Sequence, residues 1–413
     1  MSIRSTRDRG AVVSLQKMPV FFAGAFLFLL FPGYYLYHFA VGSGWMVPFL
    51  GGWFGILAAC GAVLLSPFGL RSALHVAGRL ARFVSVFGLL VLYVGLWIVM
   101  YYLFGNGPQQ SSAALLRGLE LIAFWISLFL IGFFADIRGR WIWYALVAGF
   151  VAMSGLTLLN IDPNAGMLGL SRQSVLGQDV STYQGFARSV VVVAVVLLAF
   201  CRKTGGQTLT LVVGIISLYF VGARSEFYGF ILVGILWMKR LIIRSASTQR
   251  LVVFVAIALL LVVVLSTDSI RGNRQLGILD LSADTSWQVR TDLLEEGALA
   301  IWESPLAGEY AGQLLEDNIG GYIHNGLSAW RQFGLVGCVL FCAVMFASLA
   351  HALVAVGLRR RTNPQWIAAL YLNVLCVVLT VVAKSVFWAL PALAWGFTAA
   401  ALSQESAAYR SSQ

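Results

Sequence analysis

Charge is scarce in this 413-residue chain: only 11% of its residues are Asp, Glu, Lys or Arg, against roughly 25% in soluble globular proteins. Apolar and aromatic residues make up 60%, and mean hydropathy is +0.85. That imbalance excludes a soluble enzyme, a secreted disulfide scaffold and a disordered chain. Cysteine is also sparse. The five residues Cys60, Cys201, Cys338, Cys342 and Cys376 are odd in number and fall in or at the ends of apolar runs, where they read as small apolar side chains. Cys338 and Cys342 share a helix face but lack the His or carboxylate company of a metal site. There is no P-loop, no G-x-S-x-G and no H-E-x-x-H motif, and no internal repeat stands out.

What the chain does have is a series of apolar runs near the ~20 residues that cross a bilayer. The runs predict twelve spans, near 19–38, 46–65, 83–104, 115–134, 141–159, 187–201, 208–222, 227–238, 251–266, 327–353, 366–382 and 386–402. The two tails and the breaks after even-numbered spans hold nineteen of the 28 basic residues. The positive-inside rule therefore predicts that both termini are cytoplasmic. The same reading takes the +11 net charge as a topology signal and not as a nucleic-acid footprint. Arg4, Arg7 and Arg9 precede the first run as in a signal peptide, but with no small-residue cleavage site the run is expected to be a retained span.

One segment departs from this pattern. Residues 267–323, on the non-cytoplasmic side, hold ten of the seventeen acidic residues and read as a small solvated domain. Thr285 and Gln288 have capping-box spacing, and Val289, Leu293, Leu294, Ala298 and Ile301 form a helical apolar face that ends before Ser304-Pro305. A second short helical stretch is expected to stop at Gly320-Gly321 and deliver Tyr322-Ile323-His324-Asn325 to the next span. The chain thus divides into spans 1–266, an external loop 267–325 and spans 326–413.

Ionisable residues near membrane depth are costly and mark functional candidates. On the non-cytoplasmic side these are Arg117, Glu120, Arg172, Asp179, Arg188, Arg224, Glu226, His324, Arg331 and Lys384. Arg172, Arg188 and Arg224 offer planar guanidinium groups suited to phosphate; snorkelling anchors, or for Arg224 a pair with Glu226, are the plainer alternative. His324 stands on an acidic loop just before a span, where an imidazole could take a proton from an attacking hydroxyl and Asn325 could orient the ring or a substrate. His38, His75 and His351 read as surface or interfacial residues. Trp302 and Tyr322, with Trp287, Tyr310 and Trp330, could stack on sugar faces or form an aromatic belt. The first external break, 41–45, carries no acid, so it offers no carboxylate pair for a divalent cation and no metal or other cofactor is expected.

Several of these residues fall into an ordered pattern. Trp287-Gln288-Val289-Arg290, Ser304-Pro305-Leu306-Ala307-Gly308, His324-Asn325-Gly326-Leu327 and Phe333-Gly334-Leu335-Val336-Gly337 together resemble the C-terminal signature of the O-antigen ligase and O-antigen polymerase superfamily. Gly222-Ala223-Arg224-Ser225 resembles that family's arginine turn, and Arg172 with Leu176-Gly177 its earlier arginine segment. The resemblance covers about residues 170–340. It implies an all-α, GT-C-like membrane glycosyltransferase that is metal-independent and inverting, with a polyprenyl-diphosphate-linked glycan as donor at the periplasmic face of the inner membrane. By that resemblance His324 is the general base, Arg224 and Arg172 bind the donor diphosphate, and Asn325, Arg188, Arg290, Tyr322 and Trp302 contact substrate or brace the loop.

Gln332 stands where many ligases carry Glu, so a polysaccharide polymerase is the first expectation. Transfer to lipid A-core follows, then glycosylation of a protein acceptor. A chain-length regulator is a possible partner under the first of these. A transporter of lipid-linked sugars is the rival from another class, expected to show paired repeats or midplane charges where this chain gathers its ionisable residues at one face.

Overall fold

The computed structural model describes residues 6–49, 53–74, 76, 78–105, 110–164, 166–170, 183–244, 285–312 and 323–411. Its helices in chain order are α1 (Thr6–Phe28), α2 (Tyr34–Gly42), α3 (Phe54–Ala73), α4 (Gly78–Phe104), α5 (Ser112–Phe134), α6 (Arg140–Leu159), α7 (Tyr183–Phe200), α8 (Thr204–Val221), α9 (Arg224–Arg244), α10 (Thr285–Glu303), α11 (Ser328–Leu353), α12 (Pro364–Val382) and α13 (Pro391–Ser411). Among the described residues the only sheet is a two-residue antiparallel hairpin, Ile161–Asp162 against Met167–Leu168. Nine described segments are long and apolar enough to cross a membrane. The chain is an all-α, multi-pass membrane protein.

Nine of the twelve expected spans coincide with these segments, with shifted edges. The segment expected over 46–65 is, among the described residues, helical over Phe54–Ala73, with Pro48 ahead of it; Arg71 falls in its last turn. The span expected over 386–402 begins at Pro391, and residues 383–390 form a non-helical connection from α12. Helices α9 and α13 occupy two further expected positions, while 251–266 lies outside the described residues. The first span widens into a π turn over Leu29–Gly33, where Pro32 cannot donate to the preceding turn.

Packing sorts the helices. In α7, 83% of the apolar window is buried, and every residue from Ser189 to Phe200 is inside, as expected of a helix apolar all round. Helix α3 has 17% of its window buried and α4 28%, so both present apolar faces to lipid. On α4 that face runs through Leu92, Leu96, Val99 and Leu103, the i, i+4, i+7, i+11 spacing of one helical stripe.

Helix α10 matches the expectation closely: it ends at Glu303, directly before Ser304-Pro305. Ile301 is buried and Leu293, Leu294 and Ala298 are half-buried, but Val289 is exposed. Residues 313–322, where the second short helix is expected and which include Tyr322, lie outside the described residues.

Candidate functional site

Polar and charged side chains collect where the start of α7, the start of α9, the end of α12 and the entry to α11 meet. Glu226, in the first turn of α9, is fully enclosed. Lys384, on the connection after α12, is 5% exposed and sets its Nζ 2.7 Å from Glu226 Oε1. The same ammonium donates to Gln184 Oε1 of α7 at 3.0 Å, and Ser225 Oγ donates to Glu226 Oε2 at 2.7 Å. Two residues beyond Lys384, the Val386 amide donates to Ser328 Oγ at the first residue of α11, 2.7 Å away. This short non-helical stretch therefore ties together α7, α9 and α11. Non-helical backbone at membrane depth survives only where protein encloses and satisfies it.

One turn into α7, Arg188 points inward. Its guanidinium carbon lies 3.8 Å from the Phe54 ring centroid and 4.9 Å from that of Tyr34, cation–π distances that are strengthened by exclusion of water. Its Nε is buried and makes no hydrogen bond, and Glu226 is within electrostatic reach. Arg188 is therefore not an outward-snorkelling anchor. His38 is a second correction. The sequence reads it as surface or interfacial, yet it is 4% exposed, its ring 4.3 Å from that of Tyr34 and 4.9 Å from that of Tyr37. Tyr34 and His38, one turn apart on α2 beyond the π turn, are both buried.

His324 belongs to the same neighbourhood. It is half-buried on the loop entering α11. Asn325 Oδ1 accepts from the Leu327 amide at 2.9 Å and the Asn325 carbonyl from the Ser328 amide at 3.1 Å, so Asn325 shapes the helix entry. A Cβ placed on Gly326 would stand 3.6 Å from Thr380 Cγ2, which puts this loop against the end of α12, four residues before Lys384. Arg224 is half-buried at the first residue of α9, after Gly222 turns the chain in a left-handed conformation, and lies close to Tyr228 one turn on. Met167, on the hairpin, packs against Gly222. The hairpin leads within a few residues to Arg172, which lies outside the described residues.

The Pro-Leu-x-Gly and Gly-x-x-Gly segments are two halves of one lock. Gly334 has φ 67° and ψ −175° inside α11, a region essentially restricted to glycine, and a Cβ there would collide with the Leu306 carbonyl oxygen. Gly308 has φ 70°, and its Cβ would stand 2.5 Å from the Gly334 nitrogen and 2.6 Å from the Arg331 carbonyl. The two segments touch backbone to backbone: Leu335 N donates to the Pro305 carbonyl at 3.2 Å, Trp330 Nε1 to the same oxygen at 2.7 Å, and Glu309 N to Arg331 O.

Arg331, with a side chain 5% exposed, braces this loop through Glu309 at 3.3 Å and Glu296 of α10 at 3.4 Å. Buried Gln332 accepts from the Ala311 amide at 2.9 Å. Arg290 is half-buried on α10 and Trp302 is 81% exposed near its end.

Sequence reasoning missed the supports on the other side. Tyr93, Trp97 and Tyr101 form an i, i+4, i+8 stripe on α4 whose polar tips meet carbonyls of this region: Tyr93 Oη to Phe333 at 3.0 Å, Trp97 Nε1 to Ala307 at 3.2 Å and Tyr101 Oη to Gly308 at 2.6 Å. Tyr310 Oη donates to the Ala114 carbonyl of α5 at 2.7 Å, and burial pushes that phenol up from its ordinary pKa. The stripe spacing was the available signal. Among the described residues, no three His, Cys, Asp or Glu side chains gather as a metal site. In comparison with known proteins, no family model and no curated protein matches the chain.

Proposed function

We propose that the protein is a membrane glycosyltransferase of the O-antigen polymerase and ligase type, acting as a polysaccharide polymerase. The observation that carries this reading is the convergence at one end of the bundle. The loop that carries His324, the first turn of α9 with Arg224 and the inward-facing Arg188 border a polar junction anchored by Lys384 and Glu226. A transporter is less well supported, because these groups gather at helix ends and not along the midplane of several helices.

In the proposed reaction His324 removes the proton of an acceptor sugar hydroxyl as its oxygen attacks the anomeric carbon of the donor glycan. The bond from that carbon to the polyprenyl diphosphate breaks with inversion, and the electron pair leaves on the diphosphate. Arg224 and Arg172 neutralise the charge that develops there, with no metal ion required. Arg188, Asn325, Arg290 and Tyr322 are assigned to binding. The proposal places the site at the periplasmic face of a bacterial inner membrane, in a twelve-span chain with both termini cytoplasmic, because basic residues concentrate in the opposite breaks.

The test is the surface polysaccharide of a deletion strain. The polymerase reading expects single repeat units on the acceptor and restoration of long chains by the wild-type gene but not by His324→Ala. Long chains left unattached to lipid A-core indicate the ligase instead, and an unchanged polysaccharide rejects both.

A further inference from the structure

The end of α10 and the loop after it lie beside the lipid-facing surface of the bundle. Ala307 and Gly308 receive hydrogen bonds from Trp97 and Tyr101 of α4. Side chains on a helix lean toward its N-terminus, so this loop sits no further out than those residues. The lipid-facing stripe of α4 continues past that level, with Leu103 57% and Phe104 71% exposed. On the other side, Leu335 donates its amide to the Pro305 carbonyl and begins the exposed apolar stripe of α11, with Val336 and Val339.

Beside these stripes Leu299 and Trp302, one turn apart near the end of α10, and Leu306 in the turn that follows are 66%, 81% and 71% exposed. Every backbone tie noted in this loop, at Pro305, Ala307, Gly308 and Glu309, is made to another group of the protein, as irregular backbone at the depth of lipid requires. The acids Asp292, Glu295 and Glu296 lie on the N-terminal side of these three residues, in the solvent-exposed part of α10.

We propose that Leu299 through Leu306 dock into the headgroup–acyl boundary of the leaflet at this end of the bundle, with the indole of Trp302 as anchor. Interfacial helices bury their apolar side roughly 5–10 Å into that boundary. Glu303, next to Trp302 and exposed, limits the depth to one from which its carboxylate still reaches water. Within the segment read from the sequence as solvated, α10 thus keeps its acidic turns in water and sets its C-terminal end in lipid. The phospholipid surface is the occupant because the patch continues two stripes already facing lipid. A sugar-binding role for Trp302 is the competing outcome.

The test uses the full chain in nanodiscs of phosphatidylethanolamine and phosphatidylglycerol, with the five native cysteines replaced. Single spin labels are placed through Trp302→Cys, Leu306→Cys and, as the aqueous reference, Glu295→Cys. Docking predicts that the ratio of oxygen to water-soluble nickel-chelate collisions is several-fold higher at 302 and 306 than at 295. Equal ratios at all three sites overturn it. A label-free measurement guards against a misfolded variant. Replacing the lipids by dibrominated phosphatidylcholine should quench the wild type more than Trp302→Phe, and equal quenching of the two also overturns the proposal.

Discussion

Removing the Lys384 ammonium tests how the polar junction is held. Glu226 is fully enclosed and Lys384 nearly so, with 2.7 Å between Nζ and Oε1. In Lys384→Met the carboxylate keeps the Ser225 hydroxyl as its one described hydrogen-bond partner, with the Arg188 guanidinium still within electrostatic reach. Breaking one side of a buried ion pair costs about 3–5 kcal/mol, a loss of roughly two to four powers of ten in the folding constant. Replacing both members by groups of similar shape is often nearly neutral. The double variant Glu226→Gln with Lys384→Met should therefore be clearly more stable than the sum of the single losses implies. The assay is reversible unfolding of the full chain by SDS in mixed micelles, read as a double-mutant cycle. A Lys384→Met variant within about 0.5 kcal/mol of wild type, as for a surface pair, or single losses that simply add, refutes the reasoning.

Gly334→Ala should destabilise by at least the ~1–3 kcal/mol of strain at a glycine-only conformation, and by more if the 305–308 loop is displaced. Gly88→Ala, on α4 with no neighbour within 4 Å of the added methyl, should be neutral or stabilising in the same unfolding assay. Tyr101→Phe removes the 2.6 Å bond to Gly308 and should cost about 1–3 kcal/mol, because the carbonyl is left unsatisfied; thermal unfolding in detergent checks it. Arg224→Lys keeps the charge and loses the planar fork, so polymer formation in the complemented deletion strain should fall sharply; full polymer length at wild-type expression demotes Arg224 to an anchor.

Much of the fold was legible because hydropathy works at long range along the chain: twenty apolar residues can do little other than cross or fill a membrane. Helix edges were less legible, since the 383–390 break depends on tertiary satisfaction of backbone, as between Val386 and Ser328, that no window of hydropathy contains. The end of α10 was read correctly from Ser304-Pro305, a local stop signal.

The site was legible residue by residue but not as a set of pairs. Glu226 looked like a partner for Arg224, two residues away, and the structure pairs it with Lys384, 158 positions later. His38 looked interfacial because hydropathy carries no sign of the Tyr34 and Tyr37 rings packed against it. The glycines of the 305–308 and 333–337 segments came from a resemblance. Their physical reason, two backbones in contact, needed coordinates.

Purified protein in nanodiscs, supplied with a polyprenyl-diphosphate-linked glycan repeat and EDTA, tests the central claim most directly. The account predicts that the wild type extends the glycan on its carrier with inverted anomeric configuration, and that His324→Ala, equally folded, does not. Absence of transfer by the wild type until a divalent cation is supplied, or undiminished transfer by His324→Ala, contradicts it.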